Sequence, residues 1–344
     1  MKKSKQKSAY AKAGVNIDKK MAGLANIKKM VKRTATKDVL SNIGLFGGLF
    51  ASPGKDNILV ASTDGVGTKL KVAAMAERHD TVGQDIVNHC VNDILVQGAR
   101  PLFFLDYIGT SRLNGRIFKD VVSGLCKACR ENNCALLGGE TAEMPGLYQG
   151  EEYDLVGTIV GTVEKKKIIT GKNIKPGNVI IGLKSGGLQT NGYSLARKVI
   201  FETAGLKPNN ILPGTKQTVA NALLSVHKSY LKPVTALMKK IRVHGMAHIT
   251  GGGFYDNIPR VLPSKVRAVI NTNSWKVPAI FNFIKEKGRV STVEMYRVFN
   301  MGIGFVIFVS QKDAPTAMAS LKKIRAGAVI IGHTEKGKPG VVLR

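Results

Sequence analysis

The chain has 344 residues, 44% of them hydrophobic, which is enough for about two folded domains with separate cores. Its 52 Lys and Arg residues outnumber its 23 Asp and Glu residues and give a formal net charge of +29, which favours anionic partners. No apolar run approaches the roughly 18–20 residues of a membrane-spanning helix, and none follows the basic N-terminus as the core of a secretory signal, so we expect a cytoplasmic protein without a membrane span.

The positive charge is most concentrated at the start of the chain. Residues 1–37 contain twelve Lys or Arg residues and a single acid, Asp18. Such charge can neutralise nucleic-acid phosphates, but aromatic residues make up only 6% of the chain and no RNA-reading aromatic motif is present. We therefore expect no dedicated nucleic-acid binding. A basic surface for anionic substrates, or a compositional bias of the source, explains the charge better.

The first half of the chain mixes strands and helices. A strand is predicted at 57–62 from its length and β-branched residues. From 81 to 98 the apolar residues Val82, Ile86, Cys90 and Ile94 recur every four positions, which predicts a helix with one apolar stripe and a second, polar face. Further strands are predicted at 102–108, 134–137 and 154–163, and a further helix at 116–132.

Cysteines are few and clustered, at positions 90, 126, 129 and 134. Cys126 and Cys129 form a Cys-x-x-Cys pair on the predicted helix 116–132, but no second pair stands at zinc-site spacing. Buried helix cysteines are therefore favoured over metal or redox chemistry, and we expect no disulfides.

Pro and Gly residues at 171–177 mark a candidate domain boundary, which predicts an N-terminal domain over 1–170 and a C-terminal domain over 171–344. The second half again mixes both element types, so the predicted class is α+β with two α/β-type domains. Its predicted strands are 179–183, 266–270, 305–309 and 328–331. Its predicted helices are 193–203, a long one near 219–241, 278–286 and 314–324.

The segment Ser62-Thr63-Asp64-Gly65-Val66-Gly67-Thr68-Lys69 directly follows a predicted strand. Its glycines allow close approach of the backbone to a ligand, Asp64 is suited to a divalent cation, and Lys69 is suited to phosphate. The spacing of a Walker loop is missing. A turn with a solvent-exposed Asp is the alternative.

Two further segments place acids near predicted strand or helix ends. Asp85, His89, Asn92 and Asp93 lie off or at the edge of the apolar stripe of helix 81–98, which alone is more typical of a solvated face. Glu140 lies in the Gly-rich segment 138–146, again after an apolar strand. Because the chain has only 23 acids, their concentration here predicts a magnesium site.

Two glycine-rich loops stand in the second half. The loop 185–192 precedes a predicted helix, so its amides are suited to a phosphate. His248 lies beside three consecutive glycines, 251–253. A single histidine is most often structural, but this neighbourhood favours a ligand-facing position.

Five of these segments resemble the aminoimidazole ribonucleotide synthetase family in order and spacing: Asp64-Gly65-Val66-Gly67-Thr68-Lys69, Val91-Asn92-Asp93-Ile94, residues 138–146, Asn191-Gly192-Tyr193-Ser194 and residues 247–259. The resemblance runs from residues 8–15 to the C-terminus. It implies a homodimer whose N-terminal domains pair through their sheets into a barrel-like core. It also implies a reaction in which formylglycinamidine ribonucleotide and ATP give aminoimidazole ribonucleotide, ADP and phosphate.

The resemblance, read with the residue patterns, assigns three sets of site residues. ATP and Mg²⁺ are the implied cofactors. Catalytic roles fall to His248, Lys69 and Asn191, and magnesium to Asp64, Asp93 and Glu140. Nucleotide contacts fall to Asp64, Gly65, Gly67, Thr68, Lys69, Asp93, Gly139 and Glu140.

The chain departs from the family at one point in these motifs. Bacterial members commonly carry His-Ser before Asn-Gly-Tyr, where this chain has Gln189-Thr190. No catalytic role is assigned to Gln189. Formylglycinamidine ribonucleotide synthetase, selenophosphate synthetase and thiamine-monophosphate kinase are related ATP-using enzymes that share the architecture implied by the resemblance. They are the alternative enzyme identities for this chain.

Overall fold

A computed structural model describes residues 8, 9, 37–41, 46–52, 54 and 56–344. The strands of these residues form two sheets, ordered β1-β2-β5-β3-β4 and β11-β8-β10-β6-β9-β7. Both sheets mix parallel and antiparallel pairs, and helices accompany both, which confirms the predicted α+β class. The strands are β1 Gly48–Ala51, β2 Asn57–Gly65, β3 Arg100–Thr110, β4 Ala135–Glu143, β5 Tyr153–Glu164, β6 Val179–Lys184, β7 Gly245–His248, β8 Val266–Ile270, β9 Ile303–Val309, β10 Ala328–Lys336 and β11 Val341–Leu343.

The helices of the described residues are mostly short. They are α1 Lys69–Met75, α2 Val82–Leu95, α3 Gly115–Glu131, α4 Tyr193–Arg197, α5 Val219–Leu223, α6 Leu231–Met238, α7 Gly253–Asn257, α8 Ala279–Lys287, α9 Thr292–Val298 and α10 Ala314–Lys323. A π-helix, Lys198–Thr203, continues α4. No described helix has the length and apolar character needed to span a bilayer.

Helices α2 and α3 cover one face of the first sheet. The alternating residues Leu155, Gly157 and Ile159 of β5 turn to this face and are buried, as period-2 patterning requires. At Gly157 a Cβ atom would lie 2.1 Å from the Phe104 ring and 2.9 Å from Ile86 Cγ1, so only glycine fits there. The core of this domain is therefore held between the sheet and α2.

Helix α2 is buried on all sides, since each of its 14 residues is buried. The predicted polar face is real, but it packs against the second domain instead of facing solvent. Its partner is the 224–230 segment, which lies between α5 and α6. The predicted long helix 219–241 is therefore wrong: it is two short helices separated by this non-helical segment.

Side chains of α2 replace the helical hydrogen bonds that the 224–230 segment lacks. An unpaired buried peptide group is costly, so these bonds explain why the helix is interrupted here. Asp85 Oδ1 accepts from the His227 N–H (2.7 Å), Asn92 Oδ1 accepts from the Tyr230 N–H (2.9 Å), Asn88 Nδ2 donates to the His227 carbonyl (2.7 Å) and Asn92 Nδ2 donates to the Lys228 carbonyl (2.8 Å).

The crossing of α2 and α3 predicts a sharp effect of one methyl group. At Gly83 a Cβ atom would lie 2.2 Å from Val121 O and 2.6 Å from Leu125 N, both of them backbone atoms. Gly83→Ala must therefore separate the helices, and we expect it to lower the free energy of unfolding by about 1–3 kcal/mol. Denaturant unfolding measures the change.

Gly115→Ala is the matched control, because Gly115 begins α3 and a Cβ atom there would meet no heavy atom within 4 Å. This control should be neutral or slightly stabilising. Equal stability of the two variants would contradict the close crossing at Gly83.

The first sheet ends at Glu164 and the second begins at Val179. The predicted boundary between residues 170 and 171 lies in this connection and stays a prediction. All four cysteines are free thiols, and Cys126 and Cys129 lie on α3.

Candidate functional site

Three buried imidazoles meet where the two domains face each other. His89 comes from α2, His227 from the 224–230 segment and His248 from the end of β7. Their side chains are almost completely buried, and their ring centroids lie 5.0–5.1 Å apart. Histidines this close and this buried cannot all carry charge, so their protonation states depend on one another.

Two carboxylates bracket this cluster. Asp64 Oδ2, at the end of β2, lies 2.9 Å from His89 Nε2, and Asp93 Oδ2 lies 3.7 Å from the same nitrogen. Asp93 Oδ1 lies 2.8 Å from His248 Nδ1. The Asp64 side chain is 47% exposed and that of Asp93 only 8%, so one carboxylate faces the site entrance and the other the interior.

The carboxylates divide the histidines by charge. Burial lowers the pKa of His89, but Asp64 and Asp93 more than offset this and raise it to about 9. Burial also lowers the pKa of His248, which Asp93 opposes only partly. Burial and the neighbouring imidazoles lower the pKa of His227 well below its ordinary value. The positive charge of the cluster is therefore centred on His89 at neutral pH.

Lys69 does not occupy the phosphate-facing position that its sequence motif predicts. Its side chain is fully buried, and its ammonium lies 2.7 Å from Asp85 Oδ2 and donates to the Ser225 carbonyl (2.8 Å). Burial lowers the pKa of Lys69 and raises that of Asp85, and each effect is opposed by the charge of the other residue. In this geometry the pair joins α1 and α2 to the 224–230 segment.

Asp64, Gly67 and Thr68 of this loop are exposed, whereas Val66 is buried. Gly65 donates its N–H to Asp64 Oδ1 (2.7 Å), and Gly67 has a φ of +70° that favours glycine. The hydroxyls of Thr68 and Ser194 lie 3.3 Å apart, which brings the first loop to the start of α4 in the second domain. Gly67 and Thr68 line an open cleft with residues 148 and 151–154.

Within one chain, Glu140 lies far from Asp64. Asp64, Gly157, Asp106 and Gly139 form one row across four strands, so β4 lies about 14 Å from β2 at the usual strand spacing. Glu140 follows Gly139 and therefore faces the opposite side of the sheet. Of the three expected magnesium ligands, Asp64 and Asp93 converge and Glu140 does not.

Gly139 has a steric role in this row, because a Cβ atom there would lie 2.4 Å from Asp106 Oδ1.

The second domain brings residues 189–191 to the cluster. Thr190 Oγ1 lies 2.6 Å from His89 Nδ1 and 3.3 Å from His227 Nδ1. Asn191 is half-buried, and its Oδ1 lies beside Gly251, where a Cβ atom would come within 3.2 Å. The expected catalytic residue Asn191 thus lies against the loop that follows His248. Gln189 is buried and accepts a hydrogen bond from the Tyr230 hydroxyl (3.0 Å).

His227 and Thr190 are site residues that the sequence motifs missed. His227 falls in a stretch that is predicted to be a long helix, and Thr190 falls in a glycine-rich loop to which only phosphate binding is assigned. The one available signal was the departure at Gln189-Thr190 from the pattern His-Ser.

The site offers two kinds of donor to a cation. His89, Asp93 and His248 place ligand atoms within 4.8 Å of one another, a nitrogen-rich set. Asp64 and Asp93 supply carboxylate oxygens, which magnesium prefers. Both carboxylates lie against the same nitrogen of His89, so Asp64 and Asp93 are two neighbouring side chains whose oxygens could together hold a magnesium ion.

Family models match the two domains: AIR synthase related protein, N-terminal domain, over residues 47–163, and AIR synthase related protein, C-terminal domain, over residues 175–344. The phosphoribosylformylglycinamidine cyclo-ligase of Alkaliphilus oremlandii is 48% identical over 340 residues, 98% of this chain and 100% of that protein. The cyclo-ligase of Geobacter metallireducens is 49% identical over 334 residues, 96% of each chain. The chain belongs to the AIR synthase family. The family predicted from the sequence motifs is confirmed.

Solved structures show the AIR synthase fold in distant proteins. Thiamine-monophosphate kinase from Stenotrophomonas maltophilia is 15% identical with a TM-score of 0.61, over 91% of this chain and 93% of the kinase. AaThiL, solved with AMPPCP and TMP, is 15% identical with a TM-score of 0.65, over 96% and 95%. The hydrogenase maturation protein HypE of E. coli is 17% identical with a TM-score of 0.58, over 83% and 82%. At these identities the likeness concerns the fold alone.

Proposed function

We propose that this protein closes the imidazole ring of a purine precursor: it converts formylglycinamidine ribonucleotide and ATP to aminoimidazole ribonucleotide, ADP and phosphate. The observation that carries the proposal is near-full-length identity of 46–49% to proteins named phosphoribosylformylglycinamidine cyclo-ligase. The carboxylates at the domain junction support it, because they are suited to a magnesium ion, which would offset the negative charge of a triphosphate substrate. Other members of the same fold act on other substrates, so the substrate itself must be tested.

The chemical difficulty is that an amide oxygen is a poor leaving group. ATP phosphorylates the formyl oxygen, and the ring nitrogen then attacks the same carbon and expels phosphate. Such phosphoryl transfer depends mainly on positioning and electrostatic stabilisation. The chain's own residues therefore act by binding, orientation and proton transfer.

In this proposal Asp64 and Asp93 hold Mg²⁺, which neutralises charge on the nucleotide phosphates. Gly65, Gly67 and Thr68 bring their backbone close to the nucleotide. Asn191 contacts the reactants from the adjoining loop. The 185–192 loop holds the phosphate of the ribonucleotide, and Asn300 supports this loop by donating to the carbonyls of residues 187 and 188.

His248 takes part in proton transfer but does not contact the substrate. Its side chain is fully buried, and both of its ring nitrogens already have partners, Asp93 and His227. Lys69 positions α1 and the 224–230 segment. For Lys69 this assignment replaces the phosphate-facing role that its motif favours. For His248 it keeps proton transfer, one of the two roles considered from the sequence, and drops the substrate contact.

A homodimer completes the proposal. The face of the first sheet away from α2 exposes Leu105 (37% exposed) and Leu137 (64%), which two paired sheets would bury in a barrel-like core. Glu140 lies on this face, so we assign it to the dimer side of the nucleotide site and not to the Asp64–Asp93 pair.

A product assay tests the proposal. We expect purified protein with ATP, Mg²⁺ and formylglycinamidine ribonucleotide to release ADP only when substrate is present, and to form one aminoimidazole product per ADP. Thiamine monophosphate and selenide, offered in parallel, should give no product. ADP release with either of these and not with formylglycinamidine ribonucleotide would overturn the assignment while keeping the fold class.

A further inference from the structure

The turn after α3 brings two cysteines together. Helix α3 ends at Glu131, and the second residue beyond it, Asn133, has a φ of +52°. The Asn133 N–H donates to the Arg130 carbonyl (3.1 Å), and the Cys134 N–H donates to the Cys129 carbonyl (2.9 Å). Two nested bonds around a left-handed residue form a Schellman motif, a common end of a helix.

A Schellman motif frequently has a side-chain contact between the two residues that its longer bond joins. That contact is usually hydrophobic, but here both positions are cysteines, Cys129 and Cys134. One Cα precedes the accepting carbonyl and the other follows the donating N–H, so the two Cα atoms lie about 5–6 Å apart, within the roughly 4.4–6.8 Å that disulfides span. The backbone of this turn therefore already has the spacing of a disulfide.

The two thiols differ in exposure and in acidity. Cys129 is buried, whereas Cys134 is half-buried and open to solvent. Interaction of the Cys129 S–H with the Cys134 sulfur, together with burial, raises the pKa of Cys129. The same interaction lowers the pKa of Cys134, against the effect of burial. Because the thiolate is the reactive form, Cys134 is the thiol that meets an oxidant first.

We propose that Cys129 and Cys134 are a site of reversible oxidation, at which a peroxide forms a disulfide across the end of α3. The Cys134 thiolate attacks the peroxide, the O–O bond breaks, and Cys134 becomes a sulfenic acid as hydroxide leaves. The Cys129 sulfur then attacks the Cys134 sulfur, and the S–S bond forms as the S–O bond breaks. In sum the two thiols lose two protons and two electrons, and hydrogen peroxide becomes two molecules of water.

The Cys-x-x-Cys pair of the sequence is the alternative, because Cys126 and Cys129 lie three residues apart on α3. Of the two neighbouring thiols, however, Cys134 has the larger effect on the pKa of Cys129 and Cys126 the smaller. No bond of the Schellman motif involves Cys126. The structure therefore favours the pair that spans the turn over the pair within the helix.

The disulfide would close a loop that carries Asn132. Asn132 Nδ2 donates to Asn88 Oδ1 of α2 (2.8 Å), and Asn132 Oδ1 accepts from the Ser229 hydroxyl of the 224–230 segment (2.5 Å). Oxidation thus adds a covalent link beside the junction of the two domains and constrains the unfolded chain. We expect the oxidised protein to melt a few degrees above the reduced protein. A lower melting temperature would contradict a turn that accommodates the disulfide.

Peptide mapping tests the pairing. Native protein is treated with hydrogen peroxide, its remaining thiols are alkylated, and it is digested with trypsin without reduction. Trypsin cuts on both sides of Cys129, so the three cysteines of α3 and its turn fall in different fragments. We expect fragment 128–130 to be joined to fragment 131–165 and a thiol reductant to separate them. A link from fragment 120–127 to either, or sulfinic acid at Cys134 without a link, would overturn the proposal.

Two serine variants separate the roles of the thiols. In Cys134→Ser we expect Cys129 to be oxidised at least about tenfold more slowly, because its thiol is buried. Cys126→Ser is the matched control and should form the link at the wild-type rate. Unchanged oxidation of Cys129 in Cys134→Ser would refute Cys134 as the first thiol to react.

Cys90 is the internal reference for the folded state, because it is a fully buried thiol of α2. We expect it to stay reduced while the disulfide forms. Oxidation of Cys90 as fast as that of Cys134 would show that peroxide reacts with an unfolded form, and the folded turn would then have no part in the reaction.

Discussion

Replacing Asp64 or Asp93 by Asn is expected to lower the rate of ring closure by about 10²–10³-fold, the effect of removing one preorganised electrostatic group. The substitution keeps shape and removes charge. Both carboxylates would hold the magnesium ion that offsets the negative charge of ATP, so ATP affinity should also fall. Excess Mg²⁺ should recover part of the binding and not the full turnover.

The structure separates the two variants by their effect on stability. Asp64 is exposed at the site edge, so Asp64→Asn should leave the melting temperature within a few degrees. Asp93 accepts from His248 and Ser62 in the interior, and hydrogen bonds to a charged group contribute about 1.5–3 kcal/mol. We therefore expect Asp93→Asn to lower stability measurably.

Asp80→Asn is the matched control, since Asp80 is an exposed carboxylate just before α2 whose contact with Arg78, at 3.7 Å, lies near the surface. ATP affinity, magnesium dependence and melting temperature are measured for all three variants. Wild-type rates and unchanged magnesium dependence in both Asp64→Asn and Asp93→Asn would refute the metal site.

Lys69→Met is expected to lower the free energy of unfolding by about 3–5 kcal/mol, because it leaves the Asp85 carboxylate buried without its cation. Both side chains of this pair are 0% exposed, so solvent cannot replace the lost charge. A second substitution, Asp85→Asn, should recover part of the loss in the double variant, since an amide oxygen still accepts from the His227 N–H. Denaturant unfolding measures all three proteins.

Lys71→Met provides the comparison, because Lys71 lies two residues away and pairs with Glu152 at the surface. Exposed pairs contribute about 0–1 kcal/mol, so this variant should stay close to wild type. A Lys69→Met protein of full stability that no longer turns over would contradict the structural role and restore the phosphate role that the motif predicts.

Much of the fold could be predicted from local patterns. The strands 57–65 and 153–164 and the helices 82–95 and 115–131 were found within a few residues, since their hydrophobic periods are set by the sheet and helix themselves. Asp64 and Asp93 could be paired as a site because Asp64 lies at the end of a predicted strand and Asp93 on the flank of the next predicted helix. The family resemblance supplied the chemistry that these patterns alone left open.

The predictions from sequence fail where residues distant in the chain supply the hydrogen bonds of a segment. Residues 219–241 are predicted to be one long helix, but Asp85, Asn88 and Asn92 offer the peptide groups of the 224–230 segment better partners than a helix would. The same contacts bury the polar face of α2 and turn Lys69 inward. No local pattern reports such bonds, and His227 was missed because its position depends on them.

Helix α2 recognises the 224–230 segment through its peptide groups, which every amino acid except proline presents alike. The contacts from α2 therefore place no demand on the side chains at positions 225 and 228, which donate instead to the carbonyls of residues 186 and 184. Proline is excluded at 227 and 230, where α2 binds the N–H. Asp85, Asn88 and Asn92 have no such freedom, because no other side chains match both their length and their donors and acceptors. Sequence drift at this junction should thus be uneven: positions 225 and 228 can change more readily than His227, whose side chain belongs to the site, and than the three α2 residues that bind the segment.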